Sequence, residues 1–207
     1  MNELTDKVDA RRVRGDVTRR RIVTLAADLA SVRGLDDVSV AELAAELSLS
    51  KSGVHALFGT KEELELAVIA AASTRFIDAV VEPTLVIAPR PGRDRLHALV
   101  EHWLGYVERR EFPGGCFVTH CLTEFAARPG AVRDALLQLK HEWLALLEQQ
   151  LSAAVSEDGL TLADPDPAQT AFEIDALLVA GNNWCLLGEE NALSRARHGV
   201  DKLIGQQ

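Results

Sequence analysis

Apolar residues recur with a helical period along most of the chain. Ile22, Leu25, Ala26 and Leu29 follow i, i+3, i+4, i+7, and so do Val40, Leu43, Ala44 and Leu47. Leu96, Leu99, Val100, Trp103, Leu104 and Val107 carry such a stripe over three turns. Leu136, Leu139, Trp143, Leu146 and Leu147 form another, and Leu193, Ala196, Val200, Leu203 and Ile204 a last one. No segment alternates for the length of a strand, so the chain reads as all-α. The pattern predicts nine helices, near 16–33, 39–46, 50–57, 61–81, 93–110, 116–128, 131–156, 166–187 and 190–205.

Local chemistry punctuates these stripes. All seven prolines lie at or beyond Pro83, and Pro113-Gly114-Gly115 and Pro129-Gly130 mark breaks. Ser39 with Glu42, and Thr60 with Glu63, have capping-box spacing, in which side chain and backbone satisfy each other's free donors. Asp164-Pro165 and Asp166-Pro167 suit helix starts, and Gly34 suits the residue that ends the first helix. Phe172–Leu187 is apolar nearly all round, as expected of a helix either central to a core or buried on two sides by core and partner.

The short helices 39–46 and 50–57, joined by a tight turn and braced by a longer one, make a helix-turn-helix arrangement. Val40, Leu43, Ala44 and Leu47 would pack on Val54, Leu57 and Phe58. Lys51, Ser52, Gly53, His55 and Ala56 would then face outward, small or polar as a helix entering a major groove must be. Ser39, Lys51 and Lys61 stand at helix starts, where free backbone N–H groups and the helix dipole favour phosphate. An ordinary three-helix packing unit with a polar outer face has the same spacing.

Charge sharpens this picture. The net charge of −9 argues against a phosphate-binding surface for the chain as a whole. Yet residues 1–61 hold ten Lys/Arg against nine Asp/Glu, whereas residues 62–207 hold twelve against twenty-two. Residues 11–21 alone carry six Arg and one Asp. A basic arm thus opens the first part, and the acidity belongs to the second. The longest uncharged stretch, Ala176–Gly188, is 13 residues, too short to span a bilayer, and the charged N-terminus lacks a signal peptide's apolar core. The expectation is a cytoplasmic protein without a membrane partner. Three cysteines do not make a disulfide scaffold.

Residues 18–68 resemble the N-terminal domain of TetR-family transcriptional regulators. The resemblance rests on Thr18-Arg19 at the start of helix one, Arg33-Gly34 at its end, Ser39-Val40 opening helix two, Leu49-Ser50-Lys51 entering the recognition helix, Phe58 closing it, and Lys61-Glu62 opening helix four. It implies a dimeric DNA-binding repressor, released from its operator by a small-molecule effector. Residues 1–61 would be the DNA-binding domain and 62–207 the ligand-binding and dimerisation domain. The implied DNA contacts are Thr18, Arg19, Ser39, Val40, Lys51, Ser52, Gly53, His55, Ala56 and Lys61. The chain departs from the family at Ser48 (usually a turn glycine), Gly53 (threonine), His55 (tyrosine), Ala56 (often polar) and Ala41 (arginine). A face so poor in long polar side chains would read bases through backbone approach, thymine-methyl contacts and DNA shape.

Residues 62–207 carry no phosphate loop, no nucleophile elbow and no zinc-binding helix motif, so neither catalytic residues, metal nor cofactor is expected. His120 and Glu124 at i, i+4 are too few for a metal and suit a satisfied pair. Cys116, at a helix start, reads as a small buried hydrophobe or a thiol of lowered pKa. Trp103, Tyr106, Phe117, His120, Cys121, Glu124, Trp143 and Asn183 would make an apolar pocket with a few convergent polar atoms. The last two helices would form the dimer interface as a four-helix bundle. The alternative is an all-α enzyme or ligand-binding protein whose helix-turn-helix is only structural.

Overall fold

The computed structural model describes the backbone of residues 2–205 and the side chains of residues 13–205; Arg11 and Arg12 of the basic arm lie outside the described side chains. Among the described residues the chain forms nine helices and no strand. They are α1 (Asn2–Arg33), α2 (Val40–Glu46), α3 (Lys51–Phe58), α4 (Lys61–Phe76, continued through a π-helical turn, Ile77–Val81, into Glu82–Ile87), α5 (Arg93–Glu108), α6 (Phe117–Phe125), α7 (Ala131–Glu157), α8 (Pro167–Leu186) and α9 (Ala192–Leu203).

Two helices are longer than their apolar pattern. The backbone of α1 is helical from Asn2 rather than 16, because residues 2–15 hold no proline and no apolar stripe for periodicity to register. Helix α4 runs past 81 to Ile87, because Pro83 falls in the first turn of the continuation, where its missing N–H costs little. The Thr84 hydroxyl donates to the Val80 carbonyl (2.8 Å) across the irregular turn.

The caps set the remaining boundaries. Ser39 accepts from Glu42 N and Ser50 from Gly53 N. Thr60 and Glu63 complete a reciprocal box, whereas Glu42 turns to Arg33 and leaves the first box half-made. Asp166 caps α8 by accepting from Ala168 N, and Asp164 serves only the preceding turn. Gly34 takes φ 99° at the end of α1. Ser48 takes φ 55° in the helix-turn-helix turn, a left-handed conformation that costs a serine more than a glycine.

Ile22, Ala26, Leu43, Val54, Phe58 and Leu64 form a small core joining α1–α3 to the start of α4. Helix α4 then enters a larger layer, packing on α7, while α5 packs on α7, α8 and α9 and α6 packs on both α1 and α7. Phe76 of α4 meets Tyr106 and Trp143 edge-on, each at 5.5 Å between centroids. The apolar stripe of α9 does not face outward. Ala196, Val200 and Ile204 are buried within the protomer and Leu193 and Leu203 pack against its core, because α9 lies along α8 and α5. Apolar surface remains on α8, where Phe172, Trp184 and the following Leu187 stay 60%, 55% and 74% exposed, and at the end of α4, where Leu85, Val86 and Ile87 are exposed as well.

Candidate functional site

Helix α3 presents the outward face its spacing predicts. Val54 and Phe58 are buried, while Lys51, Ser52, Gly53, His55 and Ala56 are exposed. Its start is held by Ser50, whose hydroxyl also lies 3.2 Å from that of Ser52. At its end, His55 Nδ1 is 3.2 Å from the Gly59 carbonyl. Arg14, Arg20 and Arg21 of the arm are exposed.

Several expected phosphate ligands are occupied within the protein. Arg19 is half-buried, donates to the Leu57 carbonyl (2.6 Å) and stacks over Phe58 at 4.3 Å, so it braces the end of the recognition helix. The Thr18 hydroxyl donates to Arg14 O within its own helix, and Val40 packs against the core. Lys61 donates to the carbonyl and carboxylate of Asp36 (2.8 Å to Oδ1) and pairs with Glu65 at 3.5 Å. Burial works against the Lys61 charge, but the bond to Asp36 and the charge of Glu65 outweigh it and raise its pKa.

A second site opens between α4, α5, α6, α7 and α8. It is a cavity of about 240 Å³ walled by Phe76, Ile77, Val81, Trp103, Val118, Leu139, Trp143 and Leu146, with Ser73, Thr119, Cys116, Glu142, Lys140 and Asp175 supplying the polar groups. Lys140 Nζ lies 2.6 and 2.7 Å from the two Asp175 oxygens. The π-helical turn of α4 contributes Ile77 and Val81, and such turns frequently mark functional sites.

Of the pocket residues expected from sequence, Trp103 and Trp143 line this cavity. Tyr106 and Phe117 are fully buried in the aromatic cluster and do not line it, and half-buried His120 lies outside the lining. Cys121 faces α1, its Sγ 4.0 Å from the Ala30 carbonyl, and burial pushes its thiol pKa up. Asn183 is exposed; its buried neighbour Asn182 accepts from Cys116 N at 2.9 Å. Glu124 is far from any ligand role. Its carboxylate accepts from Leu35 N (2.7 Å) and Asp36 N (3.1 Å), and so holds the loop that follows α1. A Cβ on Gly34 would sit 2.8 Å from that carboxylate. Asp175, the last charge before the longest uncharged stretch, is the pocket residue whose position in the sequence stood out without being read.

Residues 22–68 match the family model described as bacterial regulatory proteins, tetR family, and residues 92–200 match the tetracyclin repressor-like C-terminal domain. The chain belongs to the TetR family. A TetR-family regulator from Agrobacterium tumefaciens superposes with a TM-score of 0.79 at 13% identity, covering 92% of this chain and 100% of the other. One from Legionella pneumophila gives 0.75 at 20% identity, with 89% and 96% covered. AibR, solved with isovaleryl coenzyme A and operator DNA, gives 0.70 at 24% identity, with 90% and 98% covered. No curated protein is detectably similar in sequence. As a TetR-family member the protein is a DNA-binding transcriptional regulator whose C-terminal domain takes a ligand, and its family acts as dimers on DNA. Membership favours this over a helix-turn-helix kept only for structure. Among the described residues no helix is long and apolar enough to cross a membrane.

Proposed function

We propose that the protein is a cytoplasmic repressor that acts by binding rather than catalysis, and that ligand in the α4/α5/α6/α7/α8 cavity releases it from DNA. Residues 1–61 form the DNA-binding unit and 62–207 the effector and dimerisation unit, with α4 rooted in both. The observation that carries the reading is the double duty of α6. Thr119 and Val118 line the cavity, and Glu124, little more than one turn on, holds the Leu35 and Asp36 N–H groups of the DNA-binding unit. Cys121 packs on α1 between them. A ligand that displaces α6 therefore acts on the loop between α1 and α2, beside the push on α4 through Ile77 and Val81.

On the DNA side, Lys51 with Ser52, Gly53, His55 and Ala56 would enter the major groove, while Ser39, Arg20 and Arg21 approach phosphates. Anisotropy of labelled DNA from upstream of the protein's own gene tests this. Lys51→Ala should weaken binding and lower the salt slope by roughly one unit. Unchanged affinity and slope would remove this face from the interface.

A further inference from the structure

His55 is the one histidine of residues 1–61, and it stands exposed on the outward face of α3. Its Nδ1 lies 3.2 Å from the Gly59 carbonyl, which can only accept, so Nδ1 carries the hydrogen and donates. That is the one bond the ring makes among the described residues. In the neutral ring Nε2 is then an acceptor, and only a second proton makes it a donor. A phosphate oxygen also only accepts. The neutral ring would set one lone pair against another there, whereas the protonated ring would add a hydrogen bond and a positive charge.

The position of the ring favours a phosphate over a base. A recognition helix reads base edges from its N-terminal residues, and His55 is the fifth residue of α3, bonded to the residue that follows the helix. The charges around it are spent or exposed. Lys51 precedes it by one turn and is exposed; Arg19 of α1 serves Leu57 O and Phe58. On α2, Glu42 pairs with Arg33, and Glu46 is exposed at the helix end. At the start of α4, Lys61 is held by Asp36 and Glu65, and Glu62 is exposed. Glu63 stands beside Gly59, its carboxylate accepting from Thr60 N (2.8 Å) and Oγ1 (2.9 Å). Among the described residues none of these makes an ion pair with the ring, so the charge left for a protonated His55 to meet is that of DNA.

Resting on the reading of α3 as the DNA-contacting face, we propose that His55 is a proton-linked phosphate ligand: DNA binding draws a proton onto Nε2, which donates to a backbone phosphate oxygen at the edge of the groove. The complex then holds more protons than the free protein, so DNA affinity falls as pH rises through neutrality.

Anisotropy of labelled DNA from upstream of the protein's own gene, at constant ionic strength between pH 8 and pH 6, tests it in the wild-type dimer and two variants. The wild type should bind roughly tenfold tighter at pH 6, and its salt slope should steepen by about two, one phosphate per protomer. His55→Gln, whose amide donates at every pH, should hold its affinity within twofold across the range. His55→Phe should be equally flat and no tighter than the wild type at pH 8. At pH 7.5 the same DNA should move the His55 Cε1–H resonance to its protonated position, a readout that needs no variant. A wild-type affinity independent of pH, or a pH dependence that survives in both variants, would overturn the proposal. So would affinity that rises with pH, the mark of a neutral ring accepting from an adenine or cytosine amino group. If Lys51→Ala weakens binding while His55→Gln keeps the wild-type pH profile, α3 remains the interface and only the proton linkage fails. If neither substitution changes affinity, salt slope or pH profile, the reading of α3 itself fails.

Discussion

Lys51 begins the short helix α3 and Lys61 the long helix α4, and sequence gives the two lysines the same role. Their surroundings separate them: Lys51 is exposed, whereas Lys61 is tied to Asp36 and Glu65. Lys61→Ala should therefore leave the salt slope of DNA binding almost unchanged. Its effect should fall on stability, by about 0.5–1 kcal/mol for a half-exposed pair. The bonds from Lys61 and then Arg128 hold the Asp36 carboxyl below its ordinary 3.8. A depressed carboxylate stabilises the fold above that value and loses the contribution as pH falls through its folded pKa. Lys61→Ala should thus narrow the gap between denaturant midpoints at pH 7 and pH 3. A salt slope reduced as far as by Lys51→Ala would return Lys61 to the interface.

At the scale of elements, helix count, caps and the helix-turn-helix were legible, because periodicity and side-chain-to-backbone bonds are local. The direction a stripe faces was not. The α9 stripe reads equally as core or interface, and only its packing on α8 and α5 turns it inward. Helix α6 shows the same limit: His120 and Glu124 share a face by spacing, yet Glu124 finds its partners 89 and 88 residues away in the chain, at Leu35 and Asp36. Two substitutions separate core from interface. Val200→Glu buries a charge at a position 1% exposed and should unfold the protomer rather than yield folded monomers. Trp184→Glu, on the exposed face of α8, should give folded monomers with native circular dichroism in the ultracentrifuge. A folded, monomeric Val200→Glu protein would restore α9 to the interface.

For the whole molecule, the exposed apolar line of α8 and the polar outer face of α3 lie on different units, joined by α4 and by the grip of α6 on the end of α1. Ser31 accepts from Gly114 N, and Arg75 binds Asp28 and Glu111 together, so the loop entering α6 is fastened to α1 as well. A cavity wall that shares its helix with these contacts cannot move without them. Coupling between two sites is reciprocal, so whatever a ligand does to DNA affinity, DNA must do to ligand affinity by the same factor. The most direct test is the dissociation constant of a cavity ligand, chosen from small molecules by ligand-observed NMR, measured with and without saturating operator DNA, in wild type and in Glu124→Ala. The wild type should bind that ligand about 5- to 150-fold more weakly on DNA, and Glu124→Ala should shrink that ratio toward one while ligand and DNA each still bind. Equal ligand affinity on and off DNA in the wild type would contradict the account.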